Sequence, residues 1–218
     1  SCAGLCDGVI TLNVSGGTKG AGYTHSWSVA STDTFITSLC ADTYTDTITD
    51  GAGCKDTFSF VVTEPDTLES MISDTTHILC YGDSTGVAVV TPSAGTGPYS
   101  YDWYDAPGGI TDSTATGLPS GTYNVEVTDA NGCTDTSTVT ITEPSEMLLA
   151  SDSIPATCTG ICTGSAIVIP SGGVEPYNYS WYTIGGMPTT DTASGLCADF
   201  YNVEVTDFNG CMDTLEVE

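Results

Sequence analysis

Positive charge is almost missing from this chain. Lys19 and Lys55 are its only lysines and it has no arginine, against 28 Asp and Glu in 218 residues, a formal net charge of −26. With no cations to displace phosphate counterions, nucleic acid is excluded as a partner, and an anionic bilayer repels the chain for the same reason. Self-repulsion of this size suits solubility on an extended surface protein. No run of about 20 apolar residues occurs, so no membrane-spanning helix is encoded. Histidine is scarce as well: His25 and His77 are the only two, and they fall at non-equivalent places. No Ser/His/Asp or Cys/His arrangement is supported, and nothing among the carboxylates separates a general acid from a base. Catalysis is not expected. An initiator Met and a signal peptide are lacking too, which reads as processing before Ser1 or as an excerpt from a longer array.

What is abundant is repetition. The stretch Tyr123-Asn124-Val125-Glu126-Val127-Thr128-Asp129-Ala130-Asn131-Gly132-Cys133 returns with one change from Tyr201 to Cys211, and a looser copy runs from Tyr44 to Cys54. Cys54 and Cys133 lie 79 residues apart, Cys133 and Cys211 78. A period that long suits one small domain per repeat. We therefore expect repeats at 1–65, 66–144 and 145–218, the first lacking its opening strand and the third its closing residues. A donated strand from a neighbouring subunit is the alternative for the first repeat.

Val125, Val127, Val139 and Ile141 alternate with polar neighbours, the mark of half-buried strands, and no stretch has helical spacing. Strands are expected near 68–79, 85–91, 98–104, 111–116, 122–129 and 134–142. The fold class follows: all-β, a tandem array of three small Ig-like or PKD-like antiparallel β-sandwiches, stapled by disulfides and arranged as a rod. Trp27, Trp103 and Trp181 recur at matching places and read as core plugs on central strands. Tyr44, Tyr123 and Tyr201 suit tyrosine corners, with the hydroxyl bonded back to upstream backbone. Thr63-Glu64-Pro65 and Thr142-Glu143-Pro144 close the first two repeats as short, stiff linkers.

Ten cysteines, an even number in a chain of small units, point to disulfides and an oxidising, extracellular site. The second repeat has only Cys80 and Cys133, which pair with each other if bonds form within repeats. The equivalents are Cys2–Cys54 and Cys158–Cys211. Two further cysteines of the first and third repeats are replaced together in the second, by Ser84 and Pro119, so they read as partners: Cys6–Cys40 and Cys162–Cys197. The Cys-x3-Cys spacing also occurs in zinc and redox sites, but no His ligands lie nearby.

Two smaller signals have rival readings. Asp129 and Asn131, with Asp207 and Asn209, offer oxygen ligands at alternate positions, as calcium loops do. The same residues make a hairpin turn in which Asn and Gly supply positive φ. Asp-Ser/Thr followed by an aliphatic residue or Thr occurs at Thr47, Thr67, Thr75, Ser84, Ser113, Ser153, Thr192 and Thr214, similar to the O-glycosylation signal of Bacteroidota. Threonine, at 37 residues, also simply favours strand surfaces.

The pattern Cys80-x-Gly82, Gly86, Pro98-Tyr99-x-Tyr101-x-Trp103, Gly117-Leu118-Pro119-x-Gly121-x-Tyr123, Val127-x-Asp129-x-Asn131-Gly132-Cys133 and Thr142-Glu143-Pro144 resembles the SprB repeat. That repeat is found in very large surface adhesins of Bacteroidota, including the mobile adhesin of gliding flavobacteria. The resemblance implies export by the type IX route and display at the cell surface as filaments. Expected partners are like subunits, further repeats, surface polysaccharide or substratum. No ligand-binding residue is carried over, and the first repeat departs from the pattern at Lys19-Gly20-Ala21-Gly22-Tyr23 and Leu39-Cys40-Ala41-Asp42. The expected function is a non-enzymatic segment of an adhesin or filament. The alternatives are a calcium-dependent carbohydrate-binding module and the accessory stalk of a secreted hydrolase.

Overall fold

The computed structural model describes residues 1–18, 22–157, 160–182 and 188–218, and among them every regular element is a β-strand. In the first repeat β1 (Gly8–Thr11) pairs antiparallel with β3 (Phe35–Leu39). There β2 (Thr24–Trp27), β4 (Asp42–Thr49) and β5 (Lys55–Val62) form a second sheet, ordered β2-β4-β5. The second repeat has β6 (Glu69–Thr76), β7 (Gly86–Ser93) and β9 (Thr114–Leu118) in one sheet. Its other sheet holds β8 (Ser100–Asp102), β10 (Gly121–Thr128) and β11 (Thr134–Ile141), ordered β11-β10-β8. The third repeats this with β12 (Leu148–Ile154), β13 (Gly164–Ser171) and β15 (Thr192–Leu196) against β14 (Asn178–Tyr182), β16 (Tyr201–Thr206) and β17 (Met212–Val217). Strands one, two and four in one sheet, with three, five and six in the other, is an Ig-like arrangement. In the first repeat β1 has β3 as its one sheet neighbour among the described residues.

Alternation along each strand turns one row of side chains inward. In the third repeat Ala166, Val168 and Ala193 of one sheet pack against Trp181, Val203, Val205 and Val217 of the other. In the first, Ile10, Ile36 and Leu39 meet Trp27 and Tyr44. Burying each aliphatic side chain of this size contributes about 1.5–3 kcal/mol. Trp103 and Trp181 have no exposed surface. Their strands correct the expectation: β2 and β14 lie at sheet edges, and Trp103 follows β8 in an isolated bridge with Ile110. Each indole N–H needs an acceptor when buried, and an edge gives it a loop carbonyl outside the strand ladder. Trp27 donates to Asp33 (2.8 Å), Trp103 to Asp112 (3.0 Å) and Trp181 to Thr190 (2.9 Å). The tyrosine corners form as expected, with hydroxyls donating to the carbonyl four residues back: Tyr44 to Cys40 (3.0 Å), Tyr123 to Pro119 (2.9 Å) and Tyr201 to Cys197 (3.3 Å).

Packing gathers the chain into two compact units. One is Ser1–Met71 with Thr91–Asp102 and Glu126–Ser137; the other is Ile72–Val90 with Trp103–Val125 and Thr138–Glu218. The sheets follow the sequence repeats, whereas this division runs through the middle repeat. Part of the middle repeat is tied to the first repeat and part to the third.

Candidate functional site: the turn cysteine and the leading cysteine

A five-residue turn, Asp-x-x-Gly-Cys, joins β4 to β5, β10 to β11 and β16 to β17. The Asp N–H donates to the Cys carbonyl at 3.0, 2.9 and 2.9 Å, and the Gly N–H donates to the Asp carbonyl at 3.0, 3.0 and 3.1 Å. Gly53, Gly132 and Gly210 have φ of 87°, 81° and 86°, a conformation that costs any other residue a steric clash. The carboxylates of Asp50, Asp129 and Asp207 complete the turn: Oδ1 accepts the N–H of Cys54, Cys133 or Cys211 at 2.9 Å. Oδ2 reaches to the facing loop and accepts the N–H of Thr18 (2.9 Å), Thr96 (2.9 Å) or Val174 (3.0 Å). Asp129 and Asp207 are buried. The Thr18 N–H, then that of Cys54, holds the Asp50 carboxyl below the usual range. For Asp129 desolvation is the largest influence and acts upward. The N–H groups of Cys133, Thr96 and Asn131 outweigh it, so that carboxyl is also lowered.

These contacts occupy the residues read as calcium ligands. Asp129 and Asp207 hold backbone N–H groups, Asn131 donates its amide to the Thr96 hydroxyl (3.0 Å), and Asn209 donates to the Leu79 carbonyl (2.8 Å). Among the described residues no group of three or more His, Cys, Asp or Glu is placed to hold a metal ion. The glycan candidates divide by exposure: Thr67, Ser84, Ser153, Thr192 and Thr214 are exposed, whereas Thr47, Thr75 and Ser113 are half-buried. His25 is buried with Nδ1 2.6 Å from Asp46 Oδ2, a pair unique to the first repeat; Tyr101 and Val125, then Tyr179 and Val203, stand at the matching positions.

The turn cysteines bond outside their own repeat. Cys133 is joined to Cys2 and Cys211 to Cys80, each across 131 residues, with Cα atoms 5.5 and 5.6 Å apart. This corrects the expected Cys2–Cys54, Cys80–Cys133 and Cys158–Cys211 pairs. Cys54 is an exposed free thiol, and Cys158 lies outside the described residues. The first repeat shows the physical reason. Cys2 lies at the end where β4 begins, near the Cys6–Cys40 bond, and Cys54 lies past the end where β4 finishes. Eight residues of strand separate those ends by about 27 Å, far beyond the roughly 7 Å that a disulfide spans. Cys6–Cys40 and Cys162–Cys197 are bonded as expected.

The leading cysteine, Cys2 or Cys80, opens a tight turn in which the N–H three residues on donates back to it: Leu5 to Cys2 (3.1 Å) and Asp83 to Cys80 (3.2 Å). The Thr-Glu-Pro segments brace this turn, a role the sequence did not suggest. Gly4 N–H donates to Glu64 Oε2 (2.6 Å), and Gly82 N–H to Glu143 Oε2 (2.7 Å). The Ser120 hydroxyl, then the Gly82 N–H, holds the Glu143 carboxyl below its ordinary value.

Three Ig-like repeats, with disulfides joining the leading cysteine of one to the turn cysteine of the next, define a tandem-repeat β protein. The family model of the SprB repeat matches residues 1–32, 72–108 and 150–186. The chain is an SprB-repeat protein with three copies of that repeat. A search of curated proteins gave no match. Among solved structures it is similar to the N-terminal eight Ig domains of Down Syndrome Cell Adhesion Molecule isoform 1.30.30, at 11% identity and TM-score 0.44, covering 99% of this chain and 35% of that one. It is similar also to the four N-terminal Ig domains of Dscam1 isoform 6.44 (12%, TM-score 0.32, 81% and 53%). A third is the insect immune protein hemolin (14%, TM-score 0.32, 98% and 71%). The chain thus spans about a third of the first and half of the second, and likeness of this degree carries nothing about partners or activity.

Proposed function

We propose that this chain is a non-enzymatic, extracellular segment of a cell-surface adhesin or filament. Its three repeats, divided near 65 and 144, would carry load during attachment or gliding. The observation that carries this reading is the pair of cross-repeat bonds, Cys2–Cys133 and Cys80–Cys211. A bond within a repeat only staples that repeat, whereas a bond between repeats makes the joint itself resist separation. Export by the type IX route, a polysaccharide or solid substratum as partner, and O-glycans at the exposed candidates belong to the same reading.

The bonds set how far a load can stretch the chain. The shortest covalent path from Ser1 to Glu218 crosses Cys2–Cys133, runs back to Cys80, and leaves through Cys211. That path is about 60 residues, or roughly 210 Å when extended, against roughly 750 Å for the chain without bonds. Single-molecule pulling is expected to reach only the shorter length until reductant is added, and full extension without reductant refutes the load-bearing role. Beads coated with the oxidised chain should hold to polysaccharide-coated glass under flow. Attachment no better than that of albumin-coated beads would sink the adhesive part.

A further inference from the structure

Two sheet edges in this chain are built alike and finished differently. In the second repeat the edge strand is β6, and side chains of β11 cover it at Ser70. Asp135 Oδ2 accepts the Ser70 N–H (2.6 Å) and the Ser70 hydroxyl (2.8 Å), while the Ser137 hydroxyl donates to the Ser70 carbonyl (2.8 Å). Both backbone groups that an incoming strand would use there are taken. In the third repeat the edge strand is β12, with Leu149 at the place of Ser70, and Asp213 and Leu215 at those of Asp135 and Ser137. Leu149 and Leu215 pack against the core, and Asp213 Oδ1 accepts the N–H of its own neighbour Thr214 (2.8 Å). Among the described residues no side chain reaches the Leu149 N–H or carbonyl.

Pro170 shows which way those groups point. It lies opposite Leu149 on β13 and has no N–H, so this is a pair without mutual hydrogen bonds. Leu149, Ser151 and Ser153 therefore direct N–H and C=O to the open side, where Asp152 Oδ1 holds the Ser153 N–H (2.9 Å). Lys and Pro, common guards of an edge, are absent from β12. The outer face of the sheet is short of charge as well. Leu148, Ala150 and Ile154 of β12 join Ile167 and Ile169 of β13 there, around the single carboxylate of Asp152. Leu148, Ile154 and Ile169 are 57, 67 and 52% exposed. On a chain of net charge −26, a second copy can approach this surface without strong like-charge repulsion.

We propose that β12 is a self-pairing edge: two copies of the chain join their third repeats by antiparallel β12–β12 addition about a two-fold axis through Ser151. The residues themselves select that register, because Ser151 is the middle of the strand. Leu149 then meets Ser153 of the second copy, and Ser151 meets its own counterpart. These are the residues with outward backbone groups, and each pair exchanges both of its N–H···O bonds. On the outer face Leu148 meets Ile154 and Ala150 meets Asp152. Apolar ends pair with apolar ends, and the two carboxylates lie diagonally apart.

The test is sedimentation equilibrium of the full chain, made without glycans and with free thiols blocked by iodoacetamide, at low and high salt. Blocking removes disulfide dimers from the comparison, and the lack of glycans keeps Ser153 bare. The expected result is a reversible monomer–dimer equilibrium that tightens with salt, as screening relieves repulsion between two acidic copies. Hydrogen exchange should slow in the dimer at Leu149, Ser151 and Ser153. Ser151→Pro removes the central N–H, and Ile154→Asp sets a carboxylate against Leu148 of the second copy. Each should weaken dimerisation by at least about tenfold, Ile154→Asp at an unchanged Tm because its side chain is exposed. Met71→Asp, on the matching exposed face of the second repeat, should leave the equilibrium as it was. A chain that stays monomeric at high salt overturns the proposal. So does a dimer that Ser151→Pro and Ile154→Asp leave intact, or one whose β12 amides exchange as they do in the monomer.

Discussion

Cys80 and Cys211 bond each other across 131 residues, so replacing both with Ala removes one bond and strands no partner. Closing a loop of that size restricts the unfolded chain by about 5 kcal/mol. In a protein of this length each kcal/mol moves Tm by about 2–4 °C, so the double variant should melt roughly 10–20 °C lower. Thermal scans followed by near-ultraviolet circular dichroism measure the loss. Thiol titration in guanidinium measures the pairing itself, because the double variant should show the same number of free thiols as the parent. Bonds within repeats would give a different count, since Cys133 and Cys158 would both be orphaned and two thiols would appear. Two extra thiols refute the cross-repeat pairing, and a Tm shift below about 2 °C refutes its stabilising role.

Trypsin gives an independent check without mutation, because it cuts the denatured chain only after Lys19 and Lys55. Cys2–Cys133 and Cys6–Cys40 should hold all three pieces together until reductant is added, and release of fragment 56–218 beforehand would contradict the structure. Trp103→Ala empties a fully buried site and should cost about 3–5 kcal/mol in urea unfolding, whereas Tyr104→Ala, at an exposed position, should cost under about 0.5 kcal/mol. Asp50 and Asp129 have lowered carboxyls in the folded chain, so the unfolded chain binds protons more readily. Their stabilisation is complete above the unfolded value near pH 4 and is lost as pH falls through the lower folded values. A Tm profile from pH 6 to pH 2 should drop most steeply at its acid end, and Asp129→Asn should flatten it. Calcium and chelator should leave Tm unchanged, because the turn carboxylates already hold backbone N–H groups. A rise with calcium would return these turns to metal binding.

Features set by one buried face or one local bond were legible in the residues. Alternating Val and Thr predicted strands at 122–129 and 134–142, and β10 and β11 span Gly121–Thr128 and Thr134–Ile141. Each tyrosine corner needs only a carbonyl four residues back. Features whose partner is distant were not legible. The motif Thr-Glu-Pro was visible, but Glu143 braces Gly82, 61 residues away, through one hydrogen bond that leaves no mark on the intervening sequence. Asp46, 21 residues from His25, likewise sits on a strand whose other inward positions are apolar or aromatic.

The cysteine pairs show a limit that periodicity imposes. Two cysteines lost together must be partners if their repeat is the whole of their world, and Cys6–Cys40 and Cys162–Cys197 obey that. In a periodic array, however, a leading cysteine stands in the same relation to every turn cysteine, one repeat on or two. Aligning the copies fixes which kinds pair and leaves the phase open. Phase is decided by length: β4 holds the two kinds at opposite ends of one sandwich, and the nearest turn cysteine is then the one on the next repeat. An in-phase set would use all ten cysteines inside three repeats. Among the described residues the observed offset pairs each leading cysteine with the turn cysteine of the following repeat and leaves Cys54 as a free thiol.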